Sequence, residues 1–126
     1  MKARTTGPTD ELRRAQLAHA HVNSLPEPGF KKYRSIALKL PVLVQREGLA
    51  VALHFVAARG EADQKPILDH LAAQLGQQDR AALLAWSIGL GEAEGRRATE
   101  EVQRTLAWYK RLVQARSASM QARSAS

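Results

Sequence analysis

Apolar residues recur along the chain at helical spacing, and no alternating strand pattern of any length is present. Between Phe30 and Arg46, Tyr33, Ile36, Ala37, Leu40, Leu43 and Val44 share one arc at about 100° per residue, with Phe30 at its margin. Lys31, Lys32, Arg34 and Lys39 fall on the opposite side. "LAVALHFVAAR" follows Gly48 and closes at Gly60, which predicts a further helix. "PILDHLAAQL" opens on Pro66 and stops at Gly76, and "RAALLAWSI" runs from an Asp79 cap to Gly89. Thr9, followed by Asp10 and Glu11, predicts the cap of a first helix that Asn23 ends in a left-handed conformation. Thr99, followed by Glu100 and Glu101, predicts the cap of a last helix running to about Ala115. The pattern therefore predicts an all-α chain, a compact single-domain bundle of about six short helices.

Between these helices, "SLPEPG" is a loop by its two prolines and glycine, and "GLGEAEG" reads as a flexible turn. Residues 1–8 are expected to be a flexible N-terminus and 9–115 the helical domain. Residues 116–126 are expected to be a disordered tail. The tail carries the hexapeptide QARSAS twice, at 114–119 and 121–126, and residues so small and polar do not build a core.

Two features disturb the second helix. Leu38 and Val42 point into its basic side, so either another helix covers them or they meet a protein partner beside the charge. Pro41 has no N–H for the carbonyl of Ala37, which predicts a kink rather than two separate helices. The last helix repeats the division of faces. Val102, Leu106, Tyr109, Leu112 and Val113 form its apolar arc, while Arg104 and Arg111 stack on the other side ~10.5 Å apart by helical rise. Trp108 stands at the border, a candidate stacking platform or partner contact, although core-edge tryptophans are common.

Charge sharpens this picture. The chain has 126 residues, one-domain length, with 19 basic against 12 acidic side chains, which favours an anionic partner. The imbalance is local: residues 31–46 hold five basic and no acidic residues, 47–95 hold three against seven, and 96–126 hold seven against two. Basic helix faces beside an aromatic suit a nucleic-acid backbone, which makes Lys31, Lys32, Arg34, Lys39, Arg46, Arg104 and Arg111 the candidate RNA-binding residues. The alternative is an ordinary solvated face, in which Glu100 pairs with Arg104. Without cysteine there is no disulfide or thiolate metal site, which suits a cytoplasmic protein. The opening "MKARTTGPTDELRR" lacks the apolar stretch of a signal peptide, and no apolar run approaches ~18 residues, so no membrane partner is expected.

Catalytic constellations are not found. His19 and His21, two apart, diverge on a helix, and His54 lies in an apolar helix as a satisfied core histidine would. "GLGEAEG" lacks a lysine and carries glutamates that would repel phosphate, and no serine has a nucleophile motif. Neither an enzyme nor a cofactor is expected.

The stretch Tyr33–Phe55 carries "YRSIALKLP" and "GLAVALHF" at a set separation, and "TEEVQRTLAWYKRL" follows near the other end. These blocks resemble the small helical subunit of the type III-B CRISPR effector, the Cmr RNA-targeting complex, over roughly residues 12–115. Trp108, Lys110 and Arg111 stand at matching positions. Glu47, Gly95, Tyr109 and Leu112 depart from the pattern. The resemblance implies a non-catalytic subunit repeated along one side of a ribonucleoprotein, beside guide RNA and target RNA. Its implied partners are its own copies, the backbone subunits and the large polymerase-like subunit of the Cmr complex. The type III-A small subunit is an alternative with other partners. A helix-turn-helix DNA regulator is another, but the Arg-bearing last helix opens on Glu100 and Glu101, which phosphates disfavour.

Overall fold

The helical periodicity is realised as six helices in a computed structural model, which describes residues 8–125. They are α1 (Pro8–Asn23), α2 (Phe30–Glu47), α3 (Leu49–Arg59), α4 (Pro66–Gln74), α5 (Arg80–Ile88) and α6 (Glu92–Ala125). Local signals set the middle three. Asp79 accepts from the Ala82 N–H at 2.9 Å to cap α5, Pro66 opens α4, and Gly60 and Gly89 close α3 and α5. Glycine is required at two joints around α2. Gly29 has φ +90°, and a Cβ there would lie 2.5 Å from the Asp63 carboxyl carbon; Gly48, at φ +94°, separates α2 from α3.

Both outer helices differ from expectation. α1 begins at Pro8, which suits a first helical position and puts Thr9 inside the helix rather than at its cap. The remainder of the expected flexible N-terminus lies outside the described residues. Asn23 ends α1 without a left-handed turn, since no non-glycine residue described has positive φ. Instead the Arg116 guanidinium donates to the Val22 carbonyl at 2.6 Å, satisfying the helix end from α6.

α6 is longer than expected in both directions, 34 residues rather than a short helix. It starts at Glu92, where Glu92 and Glu94 favour the positive helix end and Glu94 accepts from the Gly91 N–H at 3.2 Å. Thr99 is therefore interior, its hydroxyl bonded back to the Gly95 carbonyl at 2.8 Å, and "GLGEAEG" is half helix rather than a flexible turn. At the other end the helix continues through the QARSAS repeats, where a disordered tail was expected. Met120 packs against the core, Arg116 lies over the Phe30 ring, and Arg123 reaches Glu27. The repeat need not build a core because it leans on one already formed.

α6 is the central strut, packed between α1 and α2, while α4 supports these from behind with α3 and α5 alongside. Partner residues show that α2 and α6 run antiparallel: Arg34 meets Ser117, and the Pro41 carbonyl accepts from Gln103 Nε2 at 2.9 Å. The core contains Tyr33, Leu40, Leu53, Leu71, Leu106 and Tyr109.

α2 is one helix with Pro41 inside it. Pro41→Ala restores the N–H to Ala37 and should stabilise the isolated chain by about 1–3 kcal/mol in urea unfolding. If the proline sets helix direction for neighbouring subunits, the same variant should co-purify poorly with them. Normal incorporation would remove that geometric role.

Candidate nucleic-acid and partner interface

The residues left outward by this packing decide what the surface can do. On α2, Phe30, Tyr33, Ile36, Ala37, Leu40 and Val44 are buried, and Lys31, Lys32, Lys39 and Arg46 are exposed. On α6, Val102, Leu106, Tyr109 and Val113 are buried, with Arg104 and Arg111 exposed. Burying one arc of each amphipathic helix necessarily presents the other, so core and charge do not compete.

The seven candidate cations are not equivalent. Lys32 is paired with Glu61 at 2.5 Å, and this hydrogen bond raises its pKa above the ordinary value. Arg34 is half-buried and donates to the Ser117 hydroxyl of α6. Arg111 sits over the Trp108 ring, 5.3 Å from its centre. Among the described residues, Lys31, Lys39, Arg46, Arg104 and Arg111 have no ion-pair partner. The Glu100–Arg104 pair open to the sequence does not form, and Glu101 faces Arg14 at 3.9 Å instead.

Of the partner candidates, Leu38 is half-buried against the core and Val42 is 50% exposed. Trp108 is half-buried, with its indole N–H on Glu11 and one ring face occupied by Arg111, so it holds α1 to α6 more than it offers a stacking surface. The sequence reading missed Val51 and Phe55, one turn apart on α3 and 57% and 46% exposed. The available signal was that α3 is apolar almost all round, so a surface position must leave some of it uncovered.

Inside the fold, a second polar group joins four helices. His21 of α1 and His70 of α4 stack with ring centres 4.0 Å apart. Tyr33 of α2 bonds His70 Nδ1 at 2.7 Å, and Tyr109 of α6 bonds His21 Nδ1 at 2.6 Å. Gln74 Nε2 uses its two hydrogens on the Arg14 carbonyl and the Tyr109 oxygen, at 3.0 and 3.1 Å. With its oxygen accepting from Gln74, Tyr109 has its own proton available for His21 Nδ1, an arrangement that suits a neutral imidazole. Burial pushes the His21 pKa down and, with the neighbouring His21, pushes His70 down to about 4. Burial raises both tyrosines. Both imidazoles and both tyrosine hydroxyls find partners within the cluster, whereas Gln74 Oε1 is buried without one.

His54 bonds the Ala50 carbonyl one turn back at 2.8 Å. No helix among the described residues is long and apolar enough to cross a membrane.

Comparison with known proteins places this architecture. The profile of a family described as "CRISPR-associated protein (Cas_Cmr5)" matches residues 10–116. The chain is 38% identical over 102 residues to the CRISPR system Cmr subunit Cmr5 of Thermus thermophilus, covering 80% of this chain and 90% of that protein. It is similar in fold to the crystal structure of a CRISPR-associated Cmr5 family protein from the same organism. The TM-score there is 0.79 at 38% identity, covering 86% of this chain and 97% of the other.

Proposed function

We propose that this chain, which belongs to the Cmr5 family of CRISPR-associated proteins, is the small subunit of a type III-B CRISPR ribonucleoprotein and lines its RNA with the exposed cations of α2 and α6. The observation that carries the RNA contact is the set Lys31, Lys39, Arg46, Arg104 and Arg111, exposed and without ion-pair partners among the described residues. Phosphate contacts of this kind add affinity without reading sequence. Copies stacked along a guide–target RNA would multiply individually weak contacts through effective concentration. Val42, Val51 and Phe55 are apolar positions fit for contact with neighbouring subunits. The role is one of assembly and RNA holding, with the chemistry of target cleavage carried by other subunits.

The family match favours type III-B over the type III-A alternative. Against the DNA-regulator reading, α6 opens on Glu92 and Glu94 and carries Glu100 and Glu101 in the turn before Arg104.

Replacing Lys31, Lys39, Arg104 and Arg111 together by Glu should leave helicity and thermal midpoint near those of the parent, since all four are exposed. Target-RNA binding by the reconstituted complex should fall at least tenfold. Its logarithmic salt slope should become shallower by about 3 for the copies that contact single-stranded RNA. Unchanged slope with normal assembly would make the basic face a solubility device. A lone subunit should bind RNA no better than on the order of micromolar at physiological salt.

A further inference from the structure

We infer that the part of α6 beyond Arg116 is a detachable cover over the first turns of α2, which an RNA strand must displace to reach Arg34. The inference rests on the RNA-facing reading of α2. Residues 117–125 lie past the block shared with the family, which ends at 116, yet they continue the helix and return onto α2. The repeat explains the return. Its two copies start seven residues apart, about two helical turns, so Arg116 and Arg123 share a face and Met120 stands one heptad beyond the buried Val113.

The hold of α6 on the end of α1, the loop after it and α2 changes character at Arg116. Up to that point it is firm: Arg116 donates to the Val22 carbonyl at 2.6 Å and lies 4.3 Å from the centre of the Phe30 ring. Beyond it, the contacts across to α2 and the loop before it include a hydrogen bond from Arg34 to Ser117, the half-buried Met120, and an ion pair from Arg123 to Glu27 at 3.3 Å between exposed side chains. Exposed pairs of this kind contribute little and are screened by salt. The seam is also open, with a groove of about 570 Å³ lined by Phe30, Lys31, Arg34, Met120 and Ser124.

Competition at Arg34 favours an incoming strand. In the covered form its guanidinium donates to a neutral serine hydroxyl. A phosphate oxygen is the stronger acceptor, because the hydrogen bond is then charged on both sides. Lys31, one turn earlier and lining the same groove, adds a second cation to the uncovered site. Displacing the cover would release an exposed ion pair, one neutral hydrogen-bond acceptor and a half-buried methionine, while Arg116 keeps the rest of α6 in place.

The test compares the full chain with one ending at Arg116, using a fluorescein-labelled single-stranded uridine 20-mer in low-salt anisotropy titrations. The deleted residues contain one cation, Arg123, and no acid, so charge alone predicts weaker binding. The cover predicts binding several-fold tighter. Ser117→Pro breaks the helix at the same point without changing charge and should also tighten binding, which keeps the test valid if the shortened chain folds poorly. Arg34 should react several-fold faster with phenylglyoxal in both variants, read by mass spectrometry without RNA. Unchanged Arg34 reactivity, or RNA affinity that falls or stays level, overturns the cover. Lys31→Gln with Lys39→Gln in the shortened chain separates the two ideas. No loss of RNA binding from that pair removes the RNA-facing reading of α2. A normal loss without a gain from shortening removes the cover alone.

Discussion

Stability should fall by about 2 to 3 kcal/mol as the pH drops from 6.5 to about 4, through His70 alone. The folded protein holds His70 neutral because burial, and then the stacked His21, disfavour the imidazolium. The unfolded chain protonates it near 6.5, so the unfolded state binds more protons below that pH. The contribution is complete above 6.5 and is lost as the pH approaches the folded value of about 4. His21, also lowered by burial, adds in the same direction. Protonation also upsets the hydrogen bonds. A protonated Nδ1 can only donate, so the Tyr109 and Tyr33 hydroxyl protons would have to turn away from His21 and His70 inside a packed core. Around the pair stand Tyr33 from α2, Tyr109 from α6 and Asp69 beside His70. Asp69 opposes the shift, but Arg80 binds its carboxylate through two hydrogen bonds at 3.1 and 2.7 Å. Urea unfolding of the parent and of His70→Gln between pH 4 and 7 checks this. The variant should be flatter across the window, and equal slopes would show that His70 titrates as an exposed histidine does.

That cluster was not legible in the sequence, although each member was visible. His21 and His70 are 49 residues apart, and only the packing of α1 against α4 brings their rings together. Periodicity carries the direction of a side chain but not its long-range partner. The middle helices were legible because their signals are local: the Asp79 cap, Pro66 at the first turn and glycine stops. The start of α6 misled for a physical reason. Thr99 followed by two glutamates has the composition of a cap, but Glu94 and Gly91 provide one about two turns earlier. There Ala98, which the later start would leave outside, is buried one turn before Val102. The QARSAS segment misled for another. Small polar residues argue against nucleating structure, whereas a helix already formed extends through alanine, glutamine, arginine and methionine at little cost. The division of α2 into an apolar arc and a basic back was read correctly, since it depends on spacing alone. The separate fates of Lys32, held by Glu61, and Arg34, held by Ser117, required the fold.

Leu106→Ala should cost about 2–5 kcal/mol, comparable to or larger than the acid effect, because a fully buried leucine leaves a cavity that its neighbours fill only in part. The position is exacting. Leu106 lies on α6 where that helix is packed between α1 and α2, one turn from Val102 and Tyr109, both fully buried. Collapse into the void would have to shift α6, and with it the Gln103 bond to Pro41 and the Tyr109 bond to His21. Those bonds resist the movement, which places the expected cost in the upper half of the range. The neighbouring Arg104 offers the contrast. Two residues away but exposed, Arg104→Glu should change stability by no more than about 0.5 kcal/mol, as ordinary surface substitutions do. Urea titration at pH 7 measures both variants directly. The same pair divides stability from RNA binding. At 10 °C and low denaturant, where Leu106→Ala remains mostly folded, its incorporated subunit should support near-normal RNA binding, while Arg104→Glu should weaken it without loss of fold. If Leu106→Ala lost RNA binding in proportion to Arg104→Glu while still folded, the outward register of α6 would depend on Leu106 itself. The charged ridge and the core would then be one mechanical unit rather than two faces of one helix.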